Sequence, residues 1–136
     1  MKLIKEIRSK EGVLHFKRWR LIKTPWFEIY IHGIYKEDQD LHLHSHPWNI
    51  WTMVIYGSYF EELFIEKTNS TKTKLRRPLN MAYRSHDRFH KIKKLKSNSV
   101  YTIAFVGKRK DGEWGYKTEN GFVNHIDYRK KKNKRN

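Results

Sequence analysis

The stretch LHLHSHPWNIWTMVIYG, residues 41–57, decides how the chain reads. His42, His44 and His46 stand on alternate positions before Pro47 ends the alternation. In an extended strand, side chains two apart share a face, so the three imidazoles would line one side of one strand. The whole chain has only eight histidines, and three fall within five residues here. Such crowding points to a metal site, a proton-handling site or a hydrogen-bonded polar edge. After the proline, NIWTMVIYG (49–57) is a nearly continuous apolar run, with the look of a strand buried on both faces.

Outward from that stretch, short strand signals alternate with turns. VLHFKRWRLIK (13–23) mixes apolar and basic residues, and Thr24-Pro25 breaks it. WFEIYIHGIY (26–35) is aromatic and β-branched, with Gly33 as a candidate bulge. Residues 2–11 read as a short amphipathic helix or an edge strand, ended by Gly12, and KEDQD (36–40) reads as a polar turn. Downstream, Gly57-Ser58 turns into YFEELFIEK (59–67), and TNSTKT (68–73) is a loop by composition. LNMAYRS (79–85), RFHKIKKL (88–95) and VYTIAFVG (100–107) read as strands, with KSNS (96–99) as a loop. KRKDGEWGY (108–116) reads as a polar hairpin turning at Asp111-Gly112, and GFVNHIDY (121–128) as the last strand. The pattern predicts an all-β sandwich or barrel in one domain, residues 1–128. RKKKNKRN (129–136) is a like-charge run that cannot fold alone, which predicts a disordered basic tail.

Composition narrows the function classes. Of the 136 residues, 38% are hydrophobic and 15% aromatic, and alanine occurs only at Ala82 and Ala104. A core of rings and β-branched side chains favours sheets over helices. The net charge is +16, from 30 Lys+Arg against 14 Asp+Glu. Charge of that size speaks of partners rather than fold, and suggests nucleic acid or an anionic metabolite. The absence of cysteine excludes disulfides, thiolate zinc sites and cysteine nucleophiles. No apolar run is long enough to span a membrane, and MKLIKEIRSKEG is charged throughout, unlike a secretory signal. The expected location is cytoplasmic.

HSHPWNIWTMVIYGSYFEE (44–62) resembles the first motif of the cupin superfamily, in which H-x-H on a strand leads through an apolar strand to a glycine turn. LNMAYRSHDRFHKI (79–92) resembles the second motif, where a histidine opens the strand after a tight turn. The resemblance implies a cupin-type double-stranded β-helix, a jelly-roll barrel. Gly57 lies eleven positions after His46 and thirteen after His44, and the first spacing fits the motif. The resemblance therefore implies His44 and His46 as the H-x-H pair and His90 as the third metal ligand. Cupins with four ligands place a glutamate where this chain has Ile50 or Trp51, and the second motif lacks its usual proline and glycine. A three-histidine set is similar to that of the thiol dioxygenases, which hold ferrous iron and show a glycine and a glutamate comparable to Gly57 and Glu61. The implied cofactor is a divalent metal, Fe(II) first, with Zn, Ni or Mn as alternatives. Without a metal, the cluster would serve as general acid or base, or as a hydrogen-bonded barrel mouth.

Counting in twos from His46 places Trp48, Ile50, Thr52, Val54 and Tyr56 toward the barrel interior, and counting back from His90 places Arg88, His86 and Arg84 there. Arg84 is the first candidate anion contact and Arg88 the second, because guanidinium binds carboxylate or phosphate through two parallel hydrogen bonds. Trp48, Thr52 and Tyr56 complete the expected substrate wall, with Tyr30 a further donor. His42 and His86 are candidates for orienting a ligand imidazole. His15, His32 and His125 fit no motif. Trp114 and Phe122 would be barrel-end plugs or, among the basic residues, stacking platforms for nucleic acid. Two functions follow: a metal-dependent oxygenase-type enzyme on a small anionic or nucleotide-like substrate, or a non-catalytic module binding nucleic acid or a phosphorylated ligand. A homodimer through the sheets is expected.

Overall fold

The computed structural model describes residues 1–37, 43–110, 114–119 and 121–135, and side chains as far as residue 130. His42 and the Asp111-Gly112 turn lie outside the described residues. The strands are β1 (Lys2–Arg8), β2 (Leu14–Lys23), β3 (Phe27–Ile34), β4 (Leu43–His44), β5 (Ile50–Tyr56) and β6 (Tyr59–Ile65). They continue as β7 (Ser70–Arg76), β8 (Met81–Arg84), β9 (His90–Leu95), β10 (Val100–Gly107), β11 (Gly115–Thr118) and β12 (Gly121–Asn124), before helix α1 (His125–Arg135). They form two six-stranded antiparallel sheets, ordered β1-β2-β3-β10-β5-β8 and β12-β11-β4-β9-β6-β7. This is an all-β jelly-roll.

Alternation builds the core. Val100, Thr102, Ala104 and Val106 of β10 point inward, as do Ile50 and Val54 of β5 and Tyr59 and Leu63 of β6. Tyr30, Ile50, Ala104 and Val106 form one cluster, and Ile34, Val54, Tyr59 and Val100 form the other. Burying a side chain such as Val54 or Val100 contributes about 2 kcal/mol. Gly57 closes the turn between β5 and β6 with φ +81°, and a Cβ there would lie 2.2 Å from the Ser99 carbonyl oxygen. Only glycine fits both demands.

The structure differs from the sequence reading at several places. β5 is buried on one face only: Trp51 is 47% and Ile55 48% exposed. The outer face of the first sheet carries two apolar rows instead. One runs Trp19–Ile31–Ile103–Met53–Met81, the other Ile22–Ile29–Phe105–Trp51–Tyr83. The polar segment expected as a loop at 68–73 runs largely into strand β7, which pairs with β6 alone. An edge strand exposed on both faces needs no apolar residues, and its lysines discourage further pairing. Gly33 is no bulge; it pairs in register with Lys17 and Tyr101, and the space for a Cβ is taken by the Tyr35 hydroxyl. β10 and β11, on either side of the expected hairpin, belong to different sheets and do not pair with each other.

At the C-terminal end, β12 stops at Asn124 and a helix replaces the strand expected through 128 and the tail beyond it. Asn124 starts the helix by accepting the Ile126 N–H at 2.8 Å on its side chain. Tyr128 stacks on Tyr116 of β11, with centroids 3.7 Å apart, and His125 stacks on Trp114 at 4.1 Å. Ring stacking, rather than an apolar stripe, docks this basic helix on the barrel. No helix among the described residues is long and apolar enough to cross a membrane.

Candidate metal centre

β4 sits between β9 and β11. His44 lies directly opposite His90 in register, which brings the two ring centroids to 4.8 Å. His46, two residues on, shares that face; the Ser45 N–H donates to the Gly115 carbonyl at 2.8 Å and holds the segment in place. The His46 ring lies 5.2 Å from that of His90 and 5.0 Å from that of His44. One nitrogen from each of His44, His46 and His90 lies within 4.8 Å of the other two.

Those distances suit a metal. Nε2 of His46 and Nε2 of His90 are 3.1 Å apart. Two nitrogens each about 2.1 Å from one ion, and about a right angle apart, have that separation. The imidazoles must also be neutral to coordinate. Burial, with the neighbouring His44, His90, Arg18 and Arg84, holds the His46 pKa well below its ordinary value.

Glu61 organises the centre from behind. Its carboxylate is 0% exposed, and an unpaired charge there would cost several kcal/mol. Oε2 lies 2.9 Å from Nδ1 of His90. Arg84 donates from Nη2 to Oε1 at 2.7 Å and from Nε to Oε2, and Arg76 donates from Nε to Oε1 at 2.8 Å. Burial alone would raise the Glu61 pKa, but the close approach of His90 and the hydrogen bonds and charge of Arg84 outweigh it and hold the carboxyl far below its usual range. A carboxylate beside Nδ1 keeps the proton on that nitrogen and leaves the Nε2 lone pair toward His46.

The centre opens into a cavity of about 570 Å³, a size suited to a small molecule. Trp48 and Trp114 wall it and lie near-parallel to the His46 ring, at 6.1 and 6.4 Å. Thr52 also lines it. Other expected site residues are placed differently. Arg84 is inward-facing and 4% exposed, but Glu61, Thr52 and Tyr59 occupy its guanidinium. It therefore braces the centre instead of standing free for a substrate anion. Tyr56 is 60% exposed and pairs with Tyr101, because a register shift between Tyr101 and Thr102 reverses its side. His86 is exposed in the Ser85–Asp87 turn, and Arg88 just after it is not on the cavity wall. Strand parity does not carry across that turn. Phe122 is half exposed on β12 and meets Phe89 at 6.1 Å.

Several cavity residues escaped the sequence reading. Arg18 and His32, on β2 and β3, hydrogen-bond inside the cavity, and Arg129 of α1 lines it. His15 lines it as well. The alternation Tyr59-Glu61-Leu63 was a legible signal for Glu61, since it places an acid in an apolar inward row.

Comparison with known proteins supports the fold. No protein-family model and no curated protein matches the chain. Among solved structures, a cupin-2 domain from Rhodospirillum rubrum superposes with a TM-score of 0.65 at 11% identity, over 88% of this chain and 77% of that one. A candidate mannose-6-phosphate isomerase from Ralstonia eutropha JMP134 has a TM-score of 0.59 at 15% identity, over 68% of this chain and 84% of that one. An Fe(II) form of HppE has a TM-score of 0.59 at 15% identity, over 76% of this chain and 54% of that one. The chain thus spans about half the length of the HppE chain it matches. The jelly-roll fold is thus similar to that of a cupin-2 domain, and its histidine cluster is a candidate site for a divalent metal.

Proposed function

We propose that the protein is a metal-dependent cupin enzyme of oxygenase type, acting on a small anionic substrate. The observation that carries this reading is the convergence of three imidazoles, one backed by a buried carboxylate, on the wall of a cavity sized for a small molecule. Three protein ligands leave coordination positions open, and a divalent ion held there supplies Lewis-acid or redox chemistry. Fe(II) is the ion we favour, by likeness to the Fe(II) form of HppE. Zn, Ni and Mn are the alternatives that imidazole ligands also accept. His44, His46 and His90 would hold the ion, Glu61 sets the orientation of His90, and Trp48 and Trp114 narrow the approach. Elemental mass spectrometry of untagged protein should find near-stoichiometric metal, lost in His46→Ala and in His90→Ala. Protein that stays metal-free after incubation with each ion would remove this reading and leave a basic binding module that takes nucleic acid or a phosphorylated ligand.

We further propose that the two apolar rows on the outer face of the first sheet pair with those of a second copy. Ten side chains across five strands face outward there, with Trp51, Tyr83, Phe105 and Met81 among the exposed ones. Contiguous exposed apolar area of that kind marks an interface in soluble proteins. Light scattering behind size exclusion should report a dimer of the wild type and a monomer of Phe105→Lys; a monomeric wild type at tens of micromolar would refute the pairing.

A further inference from the structure

The metal reading leaves a row of cations on the inner face of the first sheet unused. Register sets Lys5 of β1 opposite Arg18 of β2, and Arg18 opposite His32 of β3. Like charges directly opposite one another destabilise a sheet. Neighbouring cations on these strands have acids: Lys17 lies 3.6 Å and Arg8 3.0 Å from Glu6, and Arg20 lies 3.5 Å from Glu28. Lys5, Arg18 and Arg129 make no such pair among the described residues. All three line the cavity that holds the histidines.

The cavity as a whole has the same imbalance. Its wall carries six Lys and Arg residues against Glu37 and Glu61. Glu61 is committed to His90, Arg84 and Arg76, and Glu37 follows Lys36 in the chain.

Arg18 is held as an anchor. Its Nε donates to Nε2 of His32 at 3.0 Å, and its Cζ lies 5.5 Å and 5.2 Å from the ring centres of Phe16 and Tyr30. His32 occupies the Nε position, so the two terminal nitrogens are the donors left for a ligand. His32 adds no charge: burial, with Arg18 and Lys5 beside it, lowers its pKa to about 3. Partial burial and the charges of Arg18 and Arg129 likewise lower the Lys5 ammonium. Lys5 thus feels the charge of both arginines, and an anion beside it would relieve that repulsion.

We propose that Lys5, Arg18 and Arg129 form a subsite for the phosphoryl group of a small substrate, a phosphate ester or a phosphonate, whose other end reaches the three-histidine centre. A carboxylate is satisfied by one guanidinium fork, whereas three cations from β1, β2 and α1 match the two charges and three oxygens of a phosphoryl dianion. The basic C-terminal helix thereby contributes a ligand-binding side chain to the cavity. What happens at the other end of the substrate rests on the metal-dependent reading above; the anion subsite itself does not.

Calorimetry with methylphosphonate and acetate as probes, on the full chain both metal-loaded and chelator-treated, separates the two. Metal-free protein should bind methylphosphonate about tenfold or more tighter than acetate, and Arg18→Gln and Arg129→Gln should each weaken it by about tenfold or more. Lys72→Gln, on the exposed edge of the other sheet, should bind as wild type does. Melting temperature checks folding, and Arg129→Gln on the surface helix keeps the test valid if Arg18→Gln folds poorly. Acetate binding as tight as methylphosphonate, unchanged binding in both variants, or binding to single-stranded oligonucleotide without methylphosphonate would overturn the subsite. Unchanged metal content in the variants, alongside lost methylphosphonate binding, keeps the two proposals independent.

Discussion

Glu61→Ala should unfold at a markedly lower urea concentration than the wild type, with a stability loss of about 3–5 kcal/mol. The carboxylate is fully buried and accepts from Arg84 and Arg76 while facing Nδ1 of His90. Removing it leaves Arg84 charged in a position that is 4% exposed, with only Thr52 and Tyr59 as remaining partners. An uncompensated buried charge is the costlier half of a broken ion pair. Glu61→Gln separates shape from charge: it keeps the volume and loses the anion. In that variant metal affinity should fall about 10–100-fold, because the His90 ring loses the anionic partner that raises its basicity as a ligand. Denaturant titration and metal titration read the two effects independently. Wild-type metal affinity in Glu61→Gln would show that the carboxylate serves only the arginines.

The second large effect is acid sensitivity centred on His32. Burial, then the charges of Arg18 and Lys5, lowers its pKa from 6.5 to about 3. The folded state therefore keeps the ring neutral where the unfolded chain protonates it, so the unfolded state binds more protons and stability rises with pH. The contribution is full above pH 6.5, is lost progressively as the pH falls from 6.5 toward about 3, and changes no further below that. One unit is 1.36 kcal/mol, so between pH 7 and pH 4.5 the wild type should lose about 3 kcal/mol through this group. That is a large part of a typical domain stability of about 5–15 kcal/mol. Glu61, whose pKa is also depressed, contributes fully at neutral pH and adds its own loss of stability only as the pH falls below about its ordinary value of 4.5. His32→Gln keeps an acceptor for the Arg18 Nε and removes the titration. Urea melts at pH 7 and pH 4.5 should show a loss in the wild type about 3 kcal/mol larger than in the variant; equal losses would place the acid sensitivity elsewhere.

Much of the strand content was legible because apolar and β-branched runs leave few alternatives in the presence of turn residues. The second motif survived the loss of its proline and glycine, since His90 still opens β9 opposite His44. TNSTKT was misread because composition reports burial, and an edge strand such as β7 is held by backbone pairing with β6 rather than by apolar side chains. Tyr56 was misplaced because a single register shift reverses the facing of every residue beyond it. Helix α1 went unseen because its apolar contacts are two stacked rings, Tyr128 and His125, set among lysines and arginines.

The sequence by itself determined that the chain is built of short strands, that His44 and His46 share a face, and that Gly57 turns β5 into β6. These are local matters of side-chain period, ring content and one backbone conformation. Tertiary structure alone decided that Arg84 belongs to Glu61 and that Lys5, Arg18 and Arg129 meet in one cavity. Cross-strand register joins residues far apart in the chain, and the helix reaches the cavity only by docking on β11. Burial then sets the chemistry: the same arginine is a ligand anchor in one position and a structural counter-ion in another, according to whether an acid reaches it first.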